Sequence, residues 1–143
     1  MILVDANVLL YSQNRSANEH VACREWLERA LSGVETVGFP WVVVLAFLRL
    51  STSLRIYPEP LPMKSATSIV AGWFDRRSVA VVEPAEDHWN VLRSLLSQAR
   101  ILGADVSDGH LAALCIEHEA ALCTTDRGFA RFPGLKLLDP LGT

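Results

Sequence analysis

The chain opens on a continuous apolar run, Met1-Ile2-Leu3-Val4, that stops at Asp5. A short branched run without polar alternation reads as a strand buried on both faces. Val8 to Tyr11 reads as a short helix, and the polar residues 12–19 as a loop. From His20 to Leu31, Val21, Trp26, Leu27, Ala30 and Leu31 approximate helical spacing, and Gly33 ends that helix. A brief strand follows at Thr36 to Gly38, and Pro40 starts a helix through Val43, Phe47 and Leu50. β-Branched Val43 and Val44 leave Val37 to Val44 ambiguous between helix and strand.

Tyr57-Pro58-Glu59-Pro60-Leu61-Pro62 is a rigid connection. Ser65, Ala66, Ile69, Val70 and Trp73 then predict a helix ending near Arg76-Arg77. Val79 to Val82 reads as a strand closed by Pro84. Glu86 to Gln98 reads as a helix with Trp89, Leu92, Leu95 and Leu96 inward, and the Trp positions in general suit core packing. Ser107 or Asp108 caps a further helix carrying Leu111, Leu114 and Cys115. Ala121 to Thr124 and Lys136 to Leu138 complete the strands. Strands alternating with helices predict an α/β fold of βαβ units, with four or five short strands in a mostly parallel sheet.

Composition supports one domain over residues 1–143. Half the residues are apolar and 20% are charged, enough for a sizeable core and too apolar for disorder. A net charge of −3 argues against a passive nucleic-acid binder with a basic face. It leaves room for an enzyme, because a bound Mg²⁺ offsets a local acidic cluster. Eleven of the 13 basic residues are Arg, the better bidentate phosphate ligand. Three cysteines, Cys23, Cys115 and Cys123, form no C-x-x-C pair and match neither a disulfide framework nor a zinc site. No secretory leader or membrane span is legible, so a reducing cytoplasm is the expected location.

The chemistry concentrates in three acids. Asp5 and Asp126 each follow an apolar strand, and in a parallel sheet the carboxyl ends of the strands form the ligand-binding rim. Asp108 heads an apolar helical pattern and makes a third. Each has a structural alternative: Asp5 and Asp108 as helix caps, Asp126 as the cap of the turn to Phe129. Together they form a set of hard oxygen ligands suited to Mg²⁺ or Mn²⁺, and carboxylates that close repel unless a cation sits between them. His20, His88, His110 and His118 show no ligand spacing, and Glu117 and Glu119 read as a solvated helix end.

These pieces resemble a PIN-domain ribonuclease, specifically the VapC toxin type of toxin–antitoxin systems. The matching segments are Ile2-Leu3-Val4-Asp5-Ala6-Asn7, Ser107-Asp108-Gly109-His110-Leu111-Ala112-Ala113-Leu114, Thr124-Thr125-Asp126-Arg127-Gly128-Phe129 and Phe132-Pro133-Gly134-Leu135, spread over nearly the whole chain. Leu45-Ala46-Phe47-Leu48-Arg49-Leu50 is similar to one branch of that family. The resemblance implies a three-layer α/β/α fold. It further implies Asp5 and Asp108 as metal ligands, with Asp126 completing the catalytic acids. Thr124 or Thr125 would line the site and Asn7 would organise it. Two departures stand out: Ala46 where many PIN nucleases carry Glu, and Gly128 where a further acid often follows.

The leading functional expectation is an Mg²⁺-dependent (or Mn²⁺-dependent) endoribonuclease of a type II toxin–antitoxin pair, cutting RNA by metal-activated water. Arg49, one turn beyond Ala46, is placed to meet phosphate. Partners would be RNA, a cognate antitoxin and a second copy of the chain, with Phe39, Trp41 and Phe47 supplying apolar contact surface. Two alternatives differ in kind. One is a catalytically impaired PIN module that binds RNA or a protein partner, motivated by Ala46 and Gly128. The other is a haloacid-dehalogenase-type phosphatase, against which Asn7 stands where a second Asp is needed.

Overall fold

The computed structural model describes residues 1–142, and five strands in it form one parallel sheet. These are β1 (Ile2–Val4), β2 (Val37–Pro40), β3 (Val79–Val82), β4 (Ala121–Cys123) and β5 (Lys136–Leu138), in the order β3-β2-β1-β4-β5. Six α-helices join them: α1 (Ala6–Gln13), α2 (His20–Ser32), α3 (Trp41–Ser51), α4 (Met63–Phe74), α5 (His88–Gln98) and α6 (Val106–Glu117). Every neighbouring pair of strands is parallel, as the alternation of strand and helix predicted.

Strand order places the helices. From β1 to β2 to β3 the chain steps one way across the sheet, and from β3 to β4 it returns past β1. With right-handed crossovers, α1 to α4 cover one face and α5 and α6 the other. The packing agrees: α1 lies against α2 and α3, α3 against α4, and α5 against α6. The result is the three-layer α/β/α arrangement expected from the sequence.

The central strands explain the apolar runs. Leu3, Val4, Leu122 and Cys123 are fully buried, since β1 and β4 have a helical layer on each side. Gly38 permits the close approach of β2: a Cβ there would sit 2.6 Å from Val82 Cγ2 and 2.9 Å from Leu3 Cδ1. Phe39 and Phe47 are also fully buried and stack around Trp73, at ring separations of 5.7 and 4.9 Å. They therefore belong to the core, and of the three aromatics expected on a contact surface only Trp41 is exposed.

Other details correct the sequence reading. Trp89 faces solvent at 66% exposure, while Leu95 carries the buried face of α5. The segment Val37 to Val44 splits, its first half a strand and its second a helix, with Pro40 both the last strand residue, in register with Val82, and the N-cap of α3. The last helix begins at Val106 after a 3₁₀ turn at Gly103–Asp105, so Asp108 lies inside its first turn and neither Ser107 nor Asp108 caps it. Among the described residues no helix is long and apolar enough to cross a membrane.

Candidate active site

Asp5 is the first residue past β1, and its backbone N–H continues the ladder to Cys123 O at 2.9 Å. Its side chain does two things. Oδ1 accepts from Ala6 N at 2.7 Å and so caps α1. Oδ2 accepts the Thr124 hydroxyl at 2.8 Å and Asn7 Nδ2 at 3.3 Å. The capping reading of Asp5 therefore holds, and the same carboxylate also bonds Thr124 and Asn7.

Thr124, one residue past β4, is the hub. Its Oγ1 donates to Asp5 and accepts from Asn7 Nδ2 at 3.1 Å and from the Asp126 amide at 3.0 Å. Asn7 also accepts from the Thr125 amide at 3.3 Å, so it ties α1 to the segment after β4 at two points. Asp126 caps the following 3₁₀ turn, Arg127–Arg131, by accepting from Gly128 N at 2.8 Å. That bond gives Gly128 a local function: a Cβ there would stand 3.0 Å from the Asp126 oxygen.

Asp108 comes from the other helical layer and faces the same cluster. Burial raises the Asp5 carboxyl above its ordinary range, the Thr124 bond opposes that shift, and the Asp126 charge adds to it. Asp108 is raised by burial first and then by the charges of Asp5 and Asp126. The charge of Asp126 thus acts on both Asp5 and Asp108, which places the three acids near one another at the strand ends and a helix start.

A fourth element meets them. Arg131 donates through Nη2 to Asp108 Oδ2 at 3.2 Å and through Nη1 to Asp105 Oδ2 at 3.3 Å. Its guanidinium also lies over the Phe132 ring, 5.2 Å from the centroid. The sequence reading did not single out Arg131. The available signal was a basic residue one short turn past a strand-end acid, on a segment pinned by Phe129 and Phe132, both buried. Arg49, by contrast, sits on the exposed face of α3 and is joined to no acid by an ion pair among the described residues.

A further network runs along α6 from Glu117 back to His110. Glu117 is 3% exposed and accepts from the Ala85 amide at 2.8 Å and bonds His88 Nδ1, while His88 Nε2 meets His110 Nδ1 at 2.9 Å. It joins α5 to α6 and corrects the expectation of a solvated Glu117.

The donor set at the rim is all oxygen, from Asp5, Asp108, Asp126 and Thr124, with no thiol or imidazole, which fits a hard divalent cation. Among the described residues no three His, Cys, Asp or Glu side chains close on one point as a ready-made cage. Mg²⁺ is nevertheless suited to such a site, because it uses one or two carboxylates and keeps its waters. The Arg131 guanidinium against Asp108 occupies the place of a cation at this cluster.

With this geometry in hand, the similarities to known proteins are informative. The PIN-domain family model matches residues 2–135, so the chain belongs to the PIN-domain family. Within it the full-length relatives are VapC ribonucleases. Ribonuclease VapC37 of Mycobacterium tuberculosis is 41% identical over 140 residues, covering 98% of this chain and 97% of that protein. VapC ribonuclease Mb2897 of Mycobacterium bovis is 36% identical over 141 residues, covering 99% and 96%. Among solved structures, VapBC2 from Rickettsia felis, bound to a DNA fragment from its promoter, has a similar fold. It superposes with a TM-score of 0.70 at 19% identity, covering 97% of this chain and 98% of that one.

Proposed function

We propose that this protein is a divalent-metal-dependent endoribonuclease that hydrolyses RNA phosphodiester bonds and serves as the toxin of a type II toxin–antitoxin pair. The observation that carries the reading is that Asp5 and Asp126 are tied together through Thr124 and Asn7, with Asp108 close enough to feel both their charges. The ribonuclease names of relatives matched over nearly their whole length support the activity.

In this reading Asp5 and Asp108 hold Mg²⁺ or Mn²⁺, and the 1–143 chain works as one PIN domain. The ion, when bound, polarises the phosphoryl oxygen and lowers the pKa of its water. Thr124 fixes the Asp5 carboxylate, and Asn7 fixes Thr124 and the Thr125 amide in turn. Asp126 sits beside them, to orient water or accept a proton, with its other oxygen committed to the Gly128 amide. Arg49 is assigned a distant contact with the RNA backbone, since it is exposed and away from the acids.

The partners proposed are RNA, an antitoxin and a second copy of the chain, in the cytoplasm. A toxin–antitoxin complex from Klebsiella pneumoniae shares the fold, with a TM-score of 0.65 at 15% identity. Trp41 and Leu45 are one turn apart on α3 and 48% and 60% exposed, an apolar stripe suited to a protein contact. One specific observation favours a second reading, a PIN module that binds without cutting. Ala46 is packed against the core and offers no carboxylate from α3. The phosphatase alternative has no such support, since Asn7 is committed to Thr124 and Thr125.

The test is direct. Purified protein incubated with cellular RNA and Mn²⁺ should yield discrete cleavage products, and EDTA or Asp5→Asn should abolish them. If no RNA is cut with any divalent ion, and expression without an antitoxin is harmless, the non-cutting reading takes its place.

A further inference from the structure

Arg131 is held at the acidic rim more firmly than an exposed arginine ordinarily is. It ends the 3₁₀ turn that Asp126 caps, between Phe129 and Phe132, which are 1% and 2% exposed. Its guanidinium has three separate anchors: Asp108, Asp105 and the face of Phe132. Only the first of these involves an acid of the proposed active site.

We propose that Arg131 is the built-in counter-ion of the carboxylate cluster, that a divalent ion displaces it from Asp108, and that the released donor then takes the substrate phosphate. The proposal rests on the reading that Asp108 is a metal ligand. A hard divalent ion approaches a carboxylate oxygen to about 2.1 Å, whereas Nη2 stands 3.2 Å from the same Oδ2. Two cations converging on one oxygen repel, so the weaker and half-exposed partner yields.

What remains after displacement gives the arrangement its use. Nη1 keeps Asp105, and the guanidinium keeps the Phe132 ring, so the side chain stays at the rim rather than sweeping into solvent. Nη2 is then an unpaired donor beside the cluster, in the planar fork that suits a phosphate. An RNA phosphate entering a field of four aspartates meets one fixed positive charge there.

The experiment is Mn²⁺ calorimetry on the wild type, Asp108→Asn and Arg131→Gln, with steady-state cleavage of one RNA by wild type, Arg131→Gln and Arg131→Lys. Arg131→Gln should bind Mn²⁺ about two- to fivefold tighter, the change a half-exposed ion pair corresponds to. Its KM for RNA should rise about tenfold with a smaller change in kcat, and Arg131→Lys should recover part of both. Mn²⁺ affinity unchanged or weaker in Arg131→Gln overturns the displacement, and an unchanged KM overturns the phosphate contact. Unchanged binding in Asp108→Asn would instead defeat the metal-site reading itself, which keeps the two failures apart. Because Arg131 is about one-third exposed, its replacement leaves the core intact, and the melting transition checks this directly.

Discussion

The hydroxyl of Thr124 donates to the carboxylate of Asp5 at 2.8 Å across a sequence separation of 119 residues. The two strands are already neighbours through the β1–β4 ladder, in which Val4 pairs with Cys123. Each side chain is the next residue past that register, so a backbone pairing delivers both groups to the same point. A side-chain bond then locks what the ladder aligned.

Thr124→Val tests that lock. It removes the donor to Asp5, leaves the Asp126 amide without its acceptor and leaves Asn7 Nδ2 only its longer bond to Asp5. Unpaired groups of this kind cost about 1–3 kcal/mol each when buried. Denaturant unfolding should show a loss in that range, and Mn²⁺ affinity should fall with it. Thr124→Ser should lose little of either. Equal stability of Val and Ser variants would show that the hydroxyl is dispensable.

Asp5→Asn should raise the melting temperature of the metal-free protein at neutral pH. The folded carboxyl titrates above its ordinary value of 3.8, chiefly because of burial. The native state therefore binds this proton more tightly than the unfolded chain does, and stability falls as pH rises through the folded value. The penalty is absent below the unfolded value and complete above the folded one. Calorimetry in EDTA at pH 7.5 and near pH 4 should show the gain shrinking at the lower pH. A gain independent of pH would assign it to something other than this carboxylate.

Gly109→Ala should destabilise the protein by about 0–2 kcal/mol net, an overpacking cost of about 1–3 kcal/mol opposed by about 1 kcal/mol gained on replacing a helix glycine. A Cβ there would stand 2.5 Å from Leu96 Cδ2, where α6 crosses α5. Because Asp108 is the adjacent residue, the strain should also weaken Mn²⁺ binding. Thermal unfolding and calorimetry measure the two effects, and an unchanged melting temperature would mean that Leu96 moves aside freely.

The three thiols should be silent in the native protein. Cys23, Cys115 and Cys123 are fully buried, and burial pushes Cys23 up to about 11 and Cys115 up to about 12. Thiolate is the reactive form, so a thiol reagent at pH 8 should label none of them before unfolding and all three after. Rapid labelling of the folded protein would contradict the packing around β4 and α2.

The sequence disclosed the strand-end acids where its signals were local. An apolar run ending in Asp marks both the strand and its carboxylate, which made Asp5 and Asp126 legible from short windows. Arg131 was not, since its partners Asp105 and Asp108 lie 26 and 23 residues away, before β4 in the chain. Glu117 failed for the same reason: its burial depends on His88, at a separation of 29 residues. Trp89 shows a different limit. Leu92, Leu95 and Leu96 do pack inward as the helical spacing predicted, and of the four only Trp89, in the first turn of α5, is turned to solvent.

The placement of β4 beside β1 has a consequence for synthesis. Asp5 precedes Thr124 by 119 residues, so the bond between them and the β1–β4 pairing wait on everything made in between. Until β4 is made, β1 lacks its neighbour on that side and Asp5 stands apart from Asp126. A nuclease built this way cannot bring its acids together before that strand exists. Assembly of the rim is therefore one event in the folding order, tied to the pairing of two strands that synthesis makes far apart.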